Sequence, residues 1–270
     1  MKPSTEQRNP NTMHIDTAST AEILRMISDE NMNSVRAVEK ALPQIAPAVD
    51  AAAKAIAQGG RIIYVGCGTS GRIACADAAE CPPTFGVDYD TVIAVIAGGE
   101  SALVRASENA EDSAEKGRAD LLARNITAKD IVIGVSASGG AAYVESALLT
   151  AKEAGCTTVS VACNPGSRIE KAADLPIVTE TGAEVISGST RMKAGNAQKM
   201  VLNMISTGAM VKTGKVYENL MINLRPTNIK LRARMIGIVS DILGTDAEES
   251  ERLLEENGFV IREAIRAYRG

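Results

Sequence analysis

A chain of 270 residues is long enough for one large domain with small additions and too short for two equal, independent ones. With 45% hydrophobic and 23% charged residues it can bury a sizeable core, which excludes wholesale disorder. Aromatics make up only 3%, with no Trp, and the net charge is −4, so neither a base-stacking platform nor the basic footprint of a nucleic-acid or anionic-membrane binder is present.

The chain opens on a polar stretch with no apolar h-region, and nowhere do about 18 apolar residues run together; it reads as soluble and cytoplasmic. Cys67, Cys75, Cys81, Cys156 and Cys163 are odd in number and nowhere spaced as CxxC, so they read as reduced thiols rather than a disulfide framework or zinc ribbon. The only histidine, His14, leaves no His pair for a metal.

Residues 1–51 read as an N-terminal arm and helices. Thr5 to Thr12 is a polar arm too rich in helix breakers to be regular. Ser19 and Glu22 stand in capping-box spacing ahead of Ile23, Leu24, Met26 and Ile27, which predicts a helix. A second helical region, about 32–58, carries Val35, Val38, Leu42, Ile45, Val49 and Ile56 on one face. Pro43 and Pro47 break or bend it, and Gly59-Gly60 ends it.

The pattern then changes to short β-branched runs: Arg61 to Val65, Thr91 to Ile96, Ile131 to Val135, Thr157 to Val161, and a weaker one at Pro176 to Val178. Runs this continuous suit strands covered on both faces. Their alternation with helical segments near 70–80, 101–124 and 143–154 predicts a doubly wound parallel sheet, an α/β domain at 52–215. Ser189 to Lys212 reads as a long helix closing it. Residues 216–270 give a connector, a helix from about Thr227 to Leu243, and a helical tail opened by the capping pair Thr245 and Glu248.

In open α/β sheets ligands bind beyond the carboxyl ends of the strands. Gly66-Cys67-Gly68-Thr69-Ser70-Gly71-Arg72 follows the first strand and leads into a helix; its glycines let backbone approach an anion, and the helix N-terminus offers free N–H groups. The loop matches GxGxxG, but the second strand ends in Ala97-Gly98-Gly99 where a dinucleotide site needs a ribose-binding acid. Ser136-Ala137-Ser138-Gly139-Gly140 is a second hydroxyl-and-glycine loop at the same sheet edge. Gly188-Ser189-Thr190-Arg191-Met192-Lys193 adds hydroxyls and cations. Such small donors suit a phosphate monoester.

Among the carboxylates, Glu80 precedes Cys81-Pro82-Pro83, whose rigidity stops the helix and fixes the side chain's direction. Glu100, Glu108, Glu111 and Asp112 form a second cluster in which Glu108 and Glu111 share a helix face, and spacing alone does not single out Glu111. Neither His14, in the polar arm, nor the Cys75 and Cys81 pair, which lacks a nearby basic residue, reads as catalytic.

Three stretches resemble the sugar isomerase (SIS) domain family: Gly66 to Gly71, Ser136 to Gly139, and Glu184-Val185-Ile186-Ser187-Gly188-Ser189-Thr190. Five more narrow the resemblance to the N-acetylmuramic acid 6-phosphate etherases: Thr5 to Pro10, Asp77 to Phe85, Ala97 to Glu100, Glu108 to Ser113, and Gly188 to Gly195. The resemblance implies a flavodoxin-like sheet. It also implies cleavage of a lactyl ether by elimination and water addition, with no metal or redox cofactor. By position, Glu80 resembles the general acid and Glu111 the general base; Glu80 would need burial or a neighbouring carboxylate to keep its proton near neutrality. Gly68, Thr69, Ser70, Ser136, Ser138, Gly139, Ser189, Thr190 and Lys193 resemble the positions that hold the sugar phosphate. Family members work as homodimers, which can carry the arm around Arg8 or the tail to a neighbouring subunit's site. Where the family commonly has Ser-Gly-Arg-Thr-Pro-Tyr, this chain has Ser138-Gly139-Gly140-Ala141-Ala142-Tyr143, and it ends at Gly270 before typical members do. A sugar-phosphate sensor without turnover, as in the SIS-like glucokinase regulatory protein, and an aldose–ketose isomerase are the alternatives.

Overall fold

The computed structural model describes residues 3–107, 109–224, 226 and 228–270. The chain folds into two compact units, Met1–Ala78 with Asp90–Ala209, and Ala79–Tyr89 with Met210–Gly270.

The first unit begins with two single 3-10 turns, Ser4–Glu6 and Pro10–Thr12, in the arm. The arm does not float: Thr5, Asn9 and Thr12 are buried. The Thr12 hydroxyl donates to the Val185 carbonyl at 2.8 Å and the Asn9 amide to the Ala183 carbonyl at 3.0 Å. The Ser4 hydroxyl and N–H both donate to Asn164, each at 2.7 Å. Polar residues that rule out a helix here serve instead to tie an irregular strap down.

Helix α1 (Thr20–Ala57) starts on the expected Ser19–Glu22 capping box but runs unbroken where two helices are expected. Pro43 and Pro47 lack the N–H groups that would reach the carbonyls of Glu39 and Pro43. All three residues are exposed, on the side of the helix where solvent can satisfy freed carbonyls, and the helix continues. Its buried face is lined by Ala37, Val38, Ala41, Ile45, Ala48 and Ala52, while Val35 and Leu42 of the expected apolar face are exposed.

Strands β1 (Ile62–Gly66), β2 (Val92–Ile96), β3 (Ile131–Val135), β4 (Thr157–Ala162) and β5 (Leu175–Val178) form one parallel sheet in the order β2-β1-β3-β4-β5. Side chains alternate between its faces. Ile63, Val65 and Val132 pack with Tyr143, Val144 and Leu148 of α5 (Ala142–Glu153) on one face. On the other, the Tyr64 hydroxyl donates to Asp77 of α2 (Gly68–Phe85) at 2.7 Å, and Asp77 also accepts from Asn203 of α7 (Lys193–Lys212) at 2.5 Å. Helices thus cover both faces, as the continuous apolar runs require.

Three helix boundaries differ from expectation. Pro82-Pro83 does not stop α2; one further turn reaches Phe85, closed by the Gly86 N–H on the Pro82 carbonyl at 2.9 Å. The region 101–124 is interrupted, with α3 (Ser101–Val104), a 3-10 turn Ala110–Asp112 and α4 (Ala114–Leu122) in place of one helix. Glu111 therefore sits on a tight turn behind Asn109, whose φ is 59°, and Glu108 lies outside the described residues. Helix α7 starts at Lys193 rather than Ser189, because the buried Glu184 carboxylate caps it, accepting from the N–H groups of Lys193 at 3.0 Å and Ala194 at 2.9 Å. A short helix α6 (Arg168–Ala172) lies between β4 and β5.

In the second unit α8 (Ile229–Leu243), α9 (Ala247–Glu256) and α10 (Ile261–Arg269) enclose Leu224, Met235, Val239, Leu254 and Ile261. The cap of α9 is Asp246, which accepts from the Glu249 N–H at 2.8 Å, rather than Thr245. No helix among the described residues is long and apolar enough to cross a membrane.

Candidate active site

Strand order reverses at β1, so the crevice between the carboxyl ends of β1 and β3 is the sheet's switch point. The register pairs Gly66 with Val135, which sets the next residues, Cys67 and Ser136, side by side. A cavity of about 280 Å³ opens there. Gly68, Thr69 and Ser70 line it from the start of α2, Ser136 and Ser138 from the loop after β3, and Thr190 with Gly188 from the segment before α7. Two carboxylates complete the lining, Glu111 from its turn and Glu6 from the arm.

The loop is tight by construction. A Cβ on Gly71 would stand 2.8 Å from the Gly66 carbonyl oxygen and 2.6 Å from Ile96, so only glycine lets α2 begin this close to β1 and β2. The N–H groups of Gly68, Thr69 and Ser70 fall in the first turn of α2 and have no partner within the helix. By contrast the start of α7 is already capped by Glu184, so of these two helix starts that of α2 is the one whose N–H groups face the cavity without a carboxylate cap.

The serine hydroxyls are not equivalent. Ser136 Oγ accepts from the Gly139 N–H and Ser138 Oγ from the Gly140 N–H, both at 3.2 Å, so each keeps its proton to give a ligand oxygen. Ser70 Oγ already donates to Gln198 at 3.0 Å, leaving its backbone N–H for the cavity. Burial, followed by the charges of Glu111 and Asp112, pushes the Cys67 thiol up to about 12, so it stays neutral beside Glu111.

Four expected site residues fall outside the lining. Gly139 shapes the loop from behind, its φ of 75° backing onto Ser167. Ser189 turns the chain through its N–H on the Ile186 carbonyl at 2.9 Å. Lys193, 1% exposed, is spent in a buried ion pair with Glu30, so the cationic contribution expected from this segment does not reach the cavity. Glu80, in the second unit, is exposed. Ala141 caps α5 without a side-chain bond. Sequence reasoning does not find Glu6: its motif is visible in the chain, but nothing there shows that the arm turns its carboxylate into the cavity.

Among known proteins, the family described as "Glucokinase regulatory protein N-terminal SIS domain" matches residues 44–152, and that described as "SIS domain" matches 99–207. A phosphoheptose isomerase from Francisella tularensis superposes with a TM-score of 0.56 at 16% identity, covering 72% of this chain and 99% of that one. Another from Neisseria gonorrhoeae gives 0.53 at 18%, covering 69% and 99%. Fold and crevice therefore define a SIS domain. The N-acetylmuramic acid 6-phosphate etherases of Salmonella agona and Salmonella typhi are each 50% identical over 260 residues, covering 96% of this chain and 88% of theirs. The chain belongs to the N-acetylmuramic acid 6-phosphate etherase family.

Proposed function

We propose that the chain cleaves the lactyl ether of N-acetylmuramic acid 6-phosphate, giving N-acetylglucosamine 6-phosphate and D-lactate. The observation that carries this reading is half-identity to the etherases across 96% of the chain, joined to a cavity that pairs free phosphate donors with a carboxylate. The α2 N-terminus, Ser136, Ser138, Thr69 and Thr190 hold the 6-phosphate. Binding energy spent there positions the sugar's reacting carbons.

In the open-chain sugar, the aldehyde acidifies the proton on carbon 2. Glu111 takes that proton, and the bond from carbon 3 to the lactyl oxygen breaks, its electron pair leaving with oxygen, which receives a proton from the acid. Water then adds across the double bond, hydroxyl to carbon 3 and proton to carbon 2. Glu111 is supported by its place in the cavity lining. Glu80 is proposed as the acid on its likeness to the family motif alone, since the side chain is exposed and is not part of the cavity lining. The reaction itself is acid–base and asks for no electron carrier.

Incubating the purified chain with N-acetylmuramic acid 6-phosphate and assaying D-lactate tests the reading. A second reading, a sensor that binds a sugar phosphate without turnover, is favoured by the match to the glucokinase regulatory protein domain; tight binding without lactate would establish it instead.

A homodimer is proposed with this function. Leu24, Val35 and Leu42 are 46–61% exposed, and at 100° per residue they fall on one stripe of α1. The double variant Leu24→Glu, Val35→Glu is expected to sediment as a monomer where the parent sediments as a dimer. Charged sugar phosphates do not cross membranes unaided, and five free thiols suit a reducing compartment, so we place the enzyme in the cytoplasm.

A further inference from the structure

Two lining carboxylates oppose the charge of the ligand proposed for the cavity, and of these Glu6, unlike Glu111, has no part in the proposed reaction. An anion site built from hydroxyls and N–H groups has no use for a second carboxylate near its phosphate, yet several features hold this one in place. The arm on either side is fastened by Ser4 to Asn164 and by Thr12 to the Val185 carbonyl. The Asn164 amide in turn donates to the buried Thr5 hydroxyl at 3.1 Å. Gly188, at a φ of 76°, clears the space the carboxylate occupies, since a Cβ there would stand 3.0 Å from Glu6 Oε2. Among the described residues no hydrogen bond or ion pair engages the Glu6 carboxylate, although Ser4 and Thr5 just before it are both engaged.

A carboxylate accepts hydrogen bonds and donates none. It therefore repels a phosphate and attracts the donors on the rest of a sugar, its hydroxyls and its acetamido N–H. We propose that Glu6 is a specificity-determining residue that accepts a hydrogen bond from a neutral donor on the sugar body and orients the ring away from the phosphate donors. The assignment rests on the sugar-phosphate reading of this cavity, and it separates two ligands that the hydroxyl loops alone treat alike. A sugar phosphate gains from Glu6, whereas inorganic phosphate only loses by it.

The test measures binding rather than turnover, so it stands apart from the etherase assay. Calorimetric titration of the parent chain, Glu6→Ala and Glu6→Gln with N-acetylglucosamine 6-phosphate and, separately, with inorganic phosphate gives four ratios to compare. A hydrogen bond to a charged group is worth enough for Glu6→Ala to weaken sugar-phosphate binding by about 10- to 100-fold. Glu6→Gln, which keeps an acceptor oxygen, recovers part of that loss. Inorganic phosphate binds both variants as tightly as the parent or more tightly. The proposal is overturned if both ligands weaken by the same factor, the mark of a displaced arm, or if Glu6→Ala binds the sugar phosphate as the parent does. Binding that follows the expected pattern in a chain that releases no lactate keeps the Glu6 assignment and removes the etherase reading.

Discussion

Replacing Glu111 by Gln is expected to slow D-lactate release by about 10² to 10⁴-fold, the usual contribution of one placed base, while leaving sugar-phosphate affinity within a few-fold of the parent. The amide fills the same volume on the Ala110–Asp112 turn and cannot accept a proton. The hydroxyls of Ser136 and Ser138 and the start of α2 are untouched by the change, so the phosphate contacts persist. A rate loss of this kind with affinity kept is what removal of a transition-state interaction produces. Exchange of the carbon-2 proton of N-acetylglucosamine 6-phosphate with solvent deuterium isolates the base step, because it needs proton abstraction and no departing lactate. Glu111→Gln is expected to lose that exchange. Glu80→Gln is expected to slow lactate release and keep it. Full exchange in the Glu111→Gln variant would remove Glu111 from the role of base.

How much of this is legible in the sequence depends on how local the governing physics is. The five strands are visible because a strand covered on both faces must be apolar at every position, and Ile62 to Val65 or Ile131 to Val135 satisfy that from neighbouring residues alone. The crevice follows from topology: alternation of strands and helices puts the loops after β1 and β3 at one sheet edge. What is not legible depends on partners far away in the chain. Pro43 and Pro47 read as breakers because sequence does not show that their side of α1 faces water. The arm reads as a loose polar segment because Asn9 and Thr12 find their acceptors at Ala183 and Val185, more than 170 positions on. Glu111 reads as a helical residue because nothing local announces the left-handed Asn109 that turns the chain ahead of it.

Lys193 reads as a ligand-binding cation for the same reason, and its true setting predicts the largest loss of stability. Its ammonium pairs with Glu30, 163 positions away, and both side chains are almost wholly buried. Glu30 also accepts from the Asn11 amide at 2.8 Å, so arm, α1 and the start of α7 meet on one carboxylate. Burial alone would raise the Glu30 carboxyl, but hydrogen bonds from Asn11 and Lys193, with the lysine's charge, outweigh it and hold the group below the usual carboxylate range. A carboxyl lowered in the fold stabilises it above its ordinary value, and that contribution disappears as pH falls through the folded value. Burial keeps Glu184 on the opposite side, above the usual range, despite its bonds to the start of α7. Lys193→Met strands Glu30 as a buried, uncompensated charge and is expected to cost about 3–5 kcal/mol in denaturant unfolding at neutral pH. Without the lysine, Glu30 takes up a proton more readily, so the difference from the parent should shrink as pH drops toward 4. Adding Glu30→Gln to Lys193→Met should restore most of the loss at neutral pH, because no charge is then left unpaired. A loss of equal size at every pH, or a double variant as unstable as the single one, would mean that Lys193 contributes through packing rather than through its charge on Glu30.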